Sequence, residues 1–405
     1  MGKYKYQKET LIFILLLFFL SNLILIFYQD NVWWDAAVYA GMGKHVFSAG
    51  ESGLWESSRP VAWPLILGLL WKLNLDIVFF GKLTSLLFAV GVLVMTFLIG
   101  KELFDEKTAL LAVFLLALTP TFFFFSKIML SGIVSTFFVL TAVYFFIKKN
   151  YVVAGIFFGL GFMTRFLQLL ILVVVIVLLM LYKKPIRKSF NLLAGFFIPV
   201  VPYLVLNYFL YNNIFHPFSL QVLLTQVTGW MWFEPIFFYF IEAFKENFLY
   251  VFAIFGLTYI FKKKLSLNKG MIVYMFLALF LFFLFTQHKE MRFLVVLFPY
   301  LSMIAAYGAT RFFDNIKINF PLRYFLVIFV VQASLNIYAY EKIETGKGNQ
   351  FIVFQSYAED EVWISNPVHA VHSDTKIGEL MYYPAFNKDK IDFLNSNLKK
   401  ANIIL

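Results

Sequence analysis

Stretches of roughly 15–25 almost purely apolar residues recur from the N-terminus to about residue 340, and this recurrence limits the fold more than any other feature. Crossing about 30 Å of hydrocarbon takes roughly 20 residues of helix. Inside a bilayer no water satisfies the backbone, so a crossing segment must bond to itself. The expectation is an all-α polytopic membrane protein with about eleven transmembrane helices, near 10–28, 80–100, 108–125, 130–147, 151–168, 169–182, 190–210, 240–261, 270–287, 293–311 and 321–340. Composition agrees, with 61% of residues hydrophobic and 14% charged, against about half and about a quarter in soluble domains. Residues 60–75 are apolar as well, but Pro60, Trp63, Pro64 and Trp71 suit an interfacial or re-entrant helix better than a crossing.

Charge predicts the sidedness. With the N-terminus inside, loops 101–107, 148–150, 183–188, 262–269 and 311–319 hold most of the loop lysines and arginines, as cytoplasmic loops do. The opposite face receives 29–79, 126–129, a join near 166–169, 211–239, 288–292 and 341–405. That arrangement predicts a long first extracytoplasmic loop and an extracytoplasmic C-terminus. A crossing at 60–75 would put the basic loops outside and is rejected. The net charge of +11 belongs to lipid-facing loops rather than to a nucleic-acid partner. There is no cysteine, hence no disulfide, thiolate nucleophile or Cys-ligated metal. The first apolar run, preceded by Lys3, Lys5 and Lys8, is longer than a signal-peptide core and reads as a retained span.

Residues 1–340 therefore read as one transmembrane domain. The remainder, 341–405, changes character: short strands at 351–354, 362–365 and 376–380, an amphipathic helix over 388–400 and an apolar strand at 402–405. This is the pattern of a small extracytoplasmic α/β segment. An apolar strand at the end of a chain normally pairs with something, which fits a minimal or a truncated unit.

Two places carry ionisable groups where hydrocarbon is near. His288, Lys289, Glu290 and Arg292 sit between two apolar runs, and charge there is costly unless paired or wetted. Asp35 follows Trp33 and Trp34 a few residues past the first span. A carboxylate desolvated among aromatics has raised basicity, which suits a general base for a hydroxyl. Asp before Ala-Ala-Val-Tyr also reads as a helix N-cap. Trp230, Trp232 and Glu234-Pro235 fit either a sugar or lipid groove or an interfacial belt. His45, His216, His288, His369 and His372 lack zinc-site spacing, so no metal or other cofactor is assigned.

Asp35-Ala-Ala-Val-Tyr39 followed by Arg59-Pro60-x-x-x-Pro64-Leu65 resembles the first outer loop of the GT-C glycosyltransferases. These membrane enzymes take sugars from polyprenyl-phosphate or dolichyl-phosphate carriers. Gly155-x-x-x-Gly159-Leu-Gly161-Phe-Met-Thr164-Arg165 is similar to a segment that many of them write as G-x-x-x-G-L-A-x-L-T-[RK]. His288-Lys289-Glu290-Met291-Arg292-Phe293 is similar to the H-K-E-x-R-F signature of mannosyltransferases that build lipid-linked oligosaccharides and glycolipid anchors. The likeness spans roughly residues 1–340. It implies Asp35 and Glu290 as catalytic carboxylates. Arg59, Arg165, His288, Lys289 and Arg292, with Trp34 and Tyr39, are implied to hold the carrier phosphate or the sugar. Arg165 lies about 15 residues into its span, roughly 22 Å from the inner end, where a guanidinium reaches a lipid phosphate. One departure stands out. The family's second acid, in the next outer loop, is missing from Ser126-Lys-Ile-Met-Leu-Ser131-Gly132. Either Glu56, Glu234 or Glu290 replaces it, or activity is altered or lost.

The implied reaction moves mannose or another hexose from the lipid carrier to a lipid, glycan or protein acceptor. Its leaving group is a stable phosphate anion, so it needs cations and one base rather than a strong acid. The expected location is a plasma membrane, prokaryotic rather than endoplasmic reticulum. A transporter or flippase of lipid-linked substrates is the alternative, yet transporters place ionisable groups near mid-membrane. A non-catalytic relative of the enzymes is the third reading.

Overall fold

The computed structural model describes residues 2–29, 31–228, 233–262, 266–315, 362–380 and 402–404, with isolated helical positions between 327 and 338. The helices in chain order are α1 Gly2–Tyr28, α2 Trp34–Phe47, α3 Ala62–Lys72, α4 Ile77–Leu103, α5 Glu106–Ala117, α6 Pro120–Phe125, α7 Ser131–Ile147 and α8 Tyr151–Thr164. They continue as α9 Leu169–Leu181, α10 Ile186–Tyr211, α11 His216–Thr228, α12 Phe238–Glu246, α13 Phe252–Lys262, α14 Leu267–Phe285 and α15 Phe298–Asn315. Among the described residues, four helices are long and apolar enough to cross a bilayer, over Lys8–Tyr28, Ile77–Leu103, Ile186–Tyr211 and Leu267–Phe285. α1 leaves Phe13, Leu16, Leu17, Leu20 and Phe27 exposed, a surface that suits lipid and not water.

Several expected spans are interrupted. That over 108–125 breaks between α5 and α6, because Pro120 opens α6 and Thr119 before it is extended at φ −71°, ψ 116°, away from the helical region. The one over 240–261 breaks after Glu246, at a short turn over Phe248–Val251. This break carries the buried Glu246 carboxylate to the start of α6, where it accepts from the Thr121 amide at 2.7 Å and hydroxyl at 2.8 Å, satisfying a donor that the helix cannot. The segment expected at 293–311 starts as a tight turn, Met291–Val296, before α15. Most of 321–340 lies outside the described residues. α3 has 11 residues, far short of about 20 for a crossing. It lies along α2 with Trp63 fully buried and its indole donating to the Met129 carbonyl at 3.1 Å.

The helix ends sort into two surfaces. At one, Lys148 pairs with Glu102, Lys101 with Glu106 at 3.2 Å, Lys107 with Asp314 at 3.5 Å and Arg311 with Asp105 at 3.6 Å. These join the basic loops to one another. The other surface gathers the start of α2, the start of α7, the end of α8 and the turn after α14. α7 runs from one to the other, 17 residues or about 25 Å.

Glycines set how closely the helices approach. In α8, a Cβ on Gly155 would stand 2.1 Å from the Leu192 carbonyl of α10; small residues let the two backbones touch. Gly43 plays this role between α2 and α3, where a Cβ would lie 2.5 Å from Pro64 O and 2.5 Å from Gly68 N. Gly43→Ala forces those helices apart at a cost of about 1–3 kcal/mol, read as a lower unfolding midpoint in detergent. An unchanged midpoint would mean the helices have room to part.

The C-terminal strands β1 Val362–Ile364, β2 Ile377–Leu380 and β3 Asn402–Ile404 form a parallel sheet in the order β2-β1-β3. The terminal apolar strand thus finds its partner in β1. The strand expected at 351–354, the helix at 388–400 and the boundary at 340/341 lie outside the described residues. The sheet docks on the first loop: Gly53 N donates to Thr375 O at 3.0 Å and Ile377 N to Gly53 O at 2.9 Å. Val362, Ile364 and Ile377 bury against Val38 and Met42 of α2. Lys44 closes the contact, its buried ammonium donating to the carbonyls of Val371 at 2.8 Å and Ser373 at 3.0 Å and to Asp374 at 3.0 Å. Lys44→Ala leaves those carbonyls without this donor, at roughly 1–3 kcal/mol. Limited proteolysis should then cut within 362–380 sooner while the helices persist; cutting at the wild-type rate would show that Lys44 does not hold the sheet.

Candidate active site

Asp35 sits in the first turn of α2, with Trp33 rather than Asp35 at the cap position and no side-chain cap. The N-cap reading is therefore corrected. The carboxylate faces inward to two guanidiniums. Arg59, from the loop before α3, donates from Nη2 to Oδ1 at 2.7 Å, and Arg292, from the turn after α14, donates from Nη1 to Oδ2. Each arginine also holds a second carboxylate, Arg59 with Glu56 at 2.8 Å and Arg292 with Glu290 at 2.7 Å. His288 bonds Glu290 through Nε2, and Ser58 donates to Glu56 at 2.8 Å. The result is one alternating ribbon of charge. Its acid and arginine side chains are 17% to 21% exposed, dry enough to strengthen the pairs and open enough for a ligand to reach them.

The environment of Asp35 differs from the one its sequence neighbours suggested. Burial does push its pKa up, but the charges and hydrogen bonds of Arg59 and Arg292 outweigh burial and hold the carboxyl well below the usual range. The expectation of raised basicity is corrected: as it stands, Asp35 is a paired anion and a weak base. Glu290 is likewise lowered; burial opposes this, and the bonds from His288 and Arg292 outweigh it.

Arg165 differs from the other two arginines. α8 ends at Thr164 and Arg165 turns extended, at φ −155°, ψ 115°. Its guanidinium lies over the Phe293 ring at 5.1 Å, and among the described residues no carboxylate or carbonyl pairs with it. Gly132, which brings no side chain, is the residue that faces it. A Cβ built on Gly132 would stand 3.6 Å from Arg165 Nη1, so a carboxylate in that place would neutralise it. Instead Ser131 bonds the Tyr39 hydroxyl at 3.0 Å, and Tyr39 in turn lies under Arg59 at 5.0 Å.

Of the residues singled out, Asp35, Tyr39, Arg59, Arg165, His288, Glu290 and Arg292 come together here. Lys289 does not join them: its ammonium donates to the Thr286 carbonyl at 2.7 Å and lies 5.9 Å from the Phe233 ring. Glu234 stands near Lys289 rather than Asp35. Trp34 is partly exposed at the head of α2, and Trp230 and Trp232 lie outside the described residues. Two further participants are Tyr239, which carries no sequence signal, and Phe293, the last residue of the H-K-E-x-R-F run. The Tyr239 hydroxyl accepts from the Glu290 amide at 2.9 Å and donates to its carbonyl at 3.2 Å, pinning the turn. Phe293 is the platform on which Arg165 and, at 5.5 Å, Arg292 both stand. Among the described residues no three of His, Asp and Glu gather as a metal cage. Both oxygens of Asp35 face guanidiniums, whose charge opposes a divalent ion, so the residues present do not fit a metal.

A family model described as dolichyl-phosphate-mannose-protein mannosyltransferase matches residues 58–206. No curated relative matches the chain in sequence. Among solved structures, ArnT from Cupriavidus metallidurans bound to undecaprenyl phosphate superposes with a TM-score of 0.70 at 10% identity, covering 99% of this chain and 89% of that one. The oligosaccharyltransferase of Archaeoglobus fulgidus tethered with an acceptor peptide gives 0.62 at 13% identity, over 98% and 68%. The AglB oligosaccharyltransferase from the same organism, in complex with an inhibitory peptide and a dolichol-phosphate, gives 0.58 at 14%, over 93% and 64%.

Proposed function

We propose that the chain, which shares its fold with ArnT and the archaeal oligosaccharyltransferase, is a GT-C-type membrane glycosyltransferase that transfers a hexose, mannose or another, from a polyprenyl-phosphate carrier to a lipid, glycan or protein acceptor. The acceptor oxygen attacks the anomeric carbon and loses its proton to Asp35, while the bond from that carbon to the phosphate oxygen breaks and the phosphate leaves as an anion. Arg165 and Arg292 receive that anion, and Arg59 fixes Asp35.

The observation that carries this reading is the guanidinium of Arg165, which has no anionic partner among the described residues and shares a ring with Arg292, the arginine that together with Arg59 holds Asp35. An unneutralised arginine at a dry helix end is a phosphate site in waiting. The similar proteins with bound undecaprenyl phosphate or dolichol-phosphate support a lipid-phosphate carrier. Arrangement of the basic loops on the opposite surface supports an extracytoplasmic site in a plasma membrane, with the N-terminus inside.

The test is transfer by the purified protein from a panel of radiolabelled polyprenyl-phosphate sugars to extracted membrane acceptors. Label moving from one donor into a product supports the reading and names the sugar. No transfer from any donor, with undecaprenyl phosphate failing to bind, overturns it.

A further inference from the structure

Arg292 ties Asp35 to the rest of the site, and its other contacts show that this tie can be exchanged. Nη2 is anchored on Glu290, whose peptide is pinned by Tyr239, so the guanidinium keeps its place when Nη1 changes partner. Its Nε is buried without a hydrogen-bond partner. It stands on the same Phe293 ring as the open Arg165. We infer that a lipid phosphate bound on Arg165 takes the Nη1 bond of Arg292 over from Asp35, so that Asp35 Oδ2 becomes available to the acceptor hydroxyl only when the carrier is in place. This rests on the glycosyltransferase reading.

The charge flow of the reaction favours such an exchange. One proton passes from the acceptor hydroxyl to Asp35, one bond forms from the acceptor oxygen to the anomeric carbon, and one bond to the phosphate breaks with its electrons. One negative charge therefore leaves Asp35 and appears on the phosphate. An arginine already within reach of both stabilises the charge at the start and the end without reorganising. Without the carrier, Asp35 stays bonded to Arg59 and Arg292, and water or acceptor meets a poor base. Glu290 is a positioning residue in this scheme: it holds Arg292 while Nη1 moves.

Every group facing Asp35 belongs to this account: Arg59 beside Glu56 and Tyr39, Arg292 beside Glu290 and His288, and Arg165 from the end of α8. The arginines hold the Asp35 pKa down in the free protein. The arrival of a phosphate moves it up towards the ordinary carboxylate range.

The measurement uses full-length protein in nanodiscs, with 13C-labelled aspartate followed by infrared difference spectroscopy across a pH series, and undecaprenyl phosphate alone as the probe. Asp35→Asn identifies the Asp35 band. Saturating probe should raise the midpoint of that band by at least one pH unit. In Glu290→Gln the remaining carboxylate holds Arg292 more firmly, so kcat should fall about tenfold with the KM for the carrier sugar within twofold. Probe binding with normal transfer but an unmoved Asp35 band would overturn the exchange and leave the glycosyltransferase reading intact. A Glu290→Gln loss confined to KM, or to the unfolding midpoint, would also overturn it. Absence of probe binding would remove both together.

Discussion

Asp35→Asn should lower sugar transfer by about 10²–10⁴-fold, the usual range for removing a general base, while leaving the fold and carrier binding in place. The fold survives because neither arginine is stranded: Arg59 keeps Glu56 and Arg292 keeps Glu290. Breaking a buried pair is strongly destabilising when it leaves an uncompensated charge, and here it does not. The amide oxygen still accepts one bond of the pair. Loss of a negative charge beside the phosphate site should hold or tighten carrier affinity. The check is transfer rate against Kd for undecaprenyl phosphate on the same preparation. A variant that transfers at the wild-type rate would remove Asp35 from the chemistry.

Arg165→Gln should weaken binding of undecaprenyl phosphate by about 10- to 100-fold, since a hydrogen bond to a charged group contributes about 1.5–3 kcal/mol and about 1.4 kcal/mol is tenfold. Its unfolding midpoint should stay put, because no ion pair is lost. Gly132→Asp is the sharper counterpart. The new Cβ fits at 3.6 Å from Arg165, and its carboxylate would occupy the guanidinium proposed to hold the carrier phosphate. The same affinity loss is expected with Arg165 intact, and with stability equal or higher, because an acid near the start of α7 favours the helix. Unchanged carrier affinity in both variants would sink the phosphate assignment of Arg165. Each measurement needs a stated salt concentration, since partly exposed charges are still screened.

Much of the site was legible because each motif has its own local reason. The Gly155–Arg165 segment was marked by its resemblance to a GT-C motif, and Gly155 has a local reason as well, since α8 touches α10 there. The charges of residues 288–292 stand out against apolar neighbours, and Asp35 stands out beside Trp33 and Trp34. Other features were not legible. Lys289 lies in the same motif as Arg292, yet it turns to the Thr286 carbonyl; within a tight turn, side chains one and three residues apart point in different directions. Tyr239 is one of 22 tyrosines, and nothing local marks it as the clasp on Glu290.

By itself the sequence determined the class of environment, the helical character of the apolar runs and the residues able to carry charge, because hydrocarbon leaves a backbone no other way to satisfy itself. Proline and buried polar contacts then decided which runs stay whole: Pro120 and the capping Glu246 break two of them. Only the tertiary structure decided the state of Asp35. Burial and aromatic neighbours argue for a strong base, and two arginines from distant parts of the chain argue against it; the arginines win because an opposite charge at hydrogen-bond distance outweighs partial desolvation. The same folding left Arg165 unneutralised, through the absence of a side chain at Gly132. By resemblance that residue stands where the GT-C enzymes carry an acid; in the folded chain it brings no side chain to the Arg165 guanidinium.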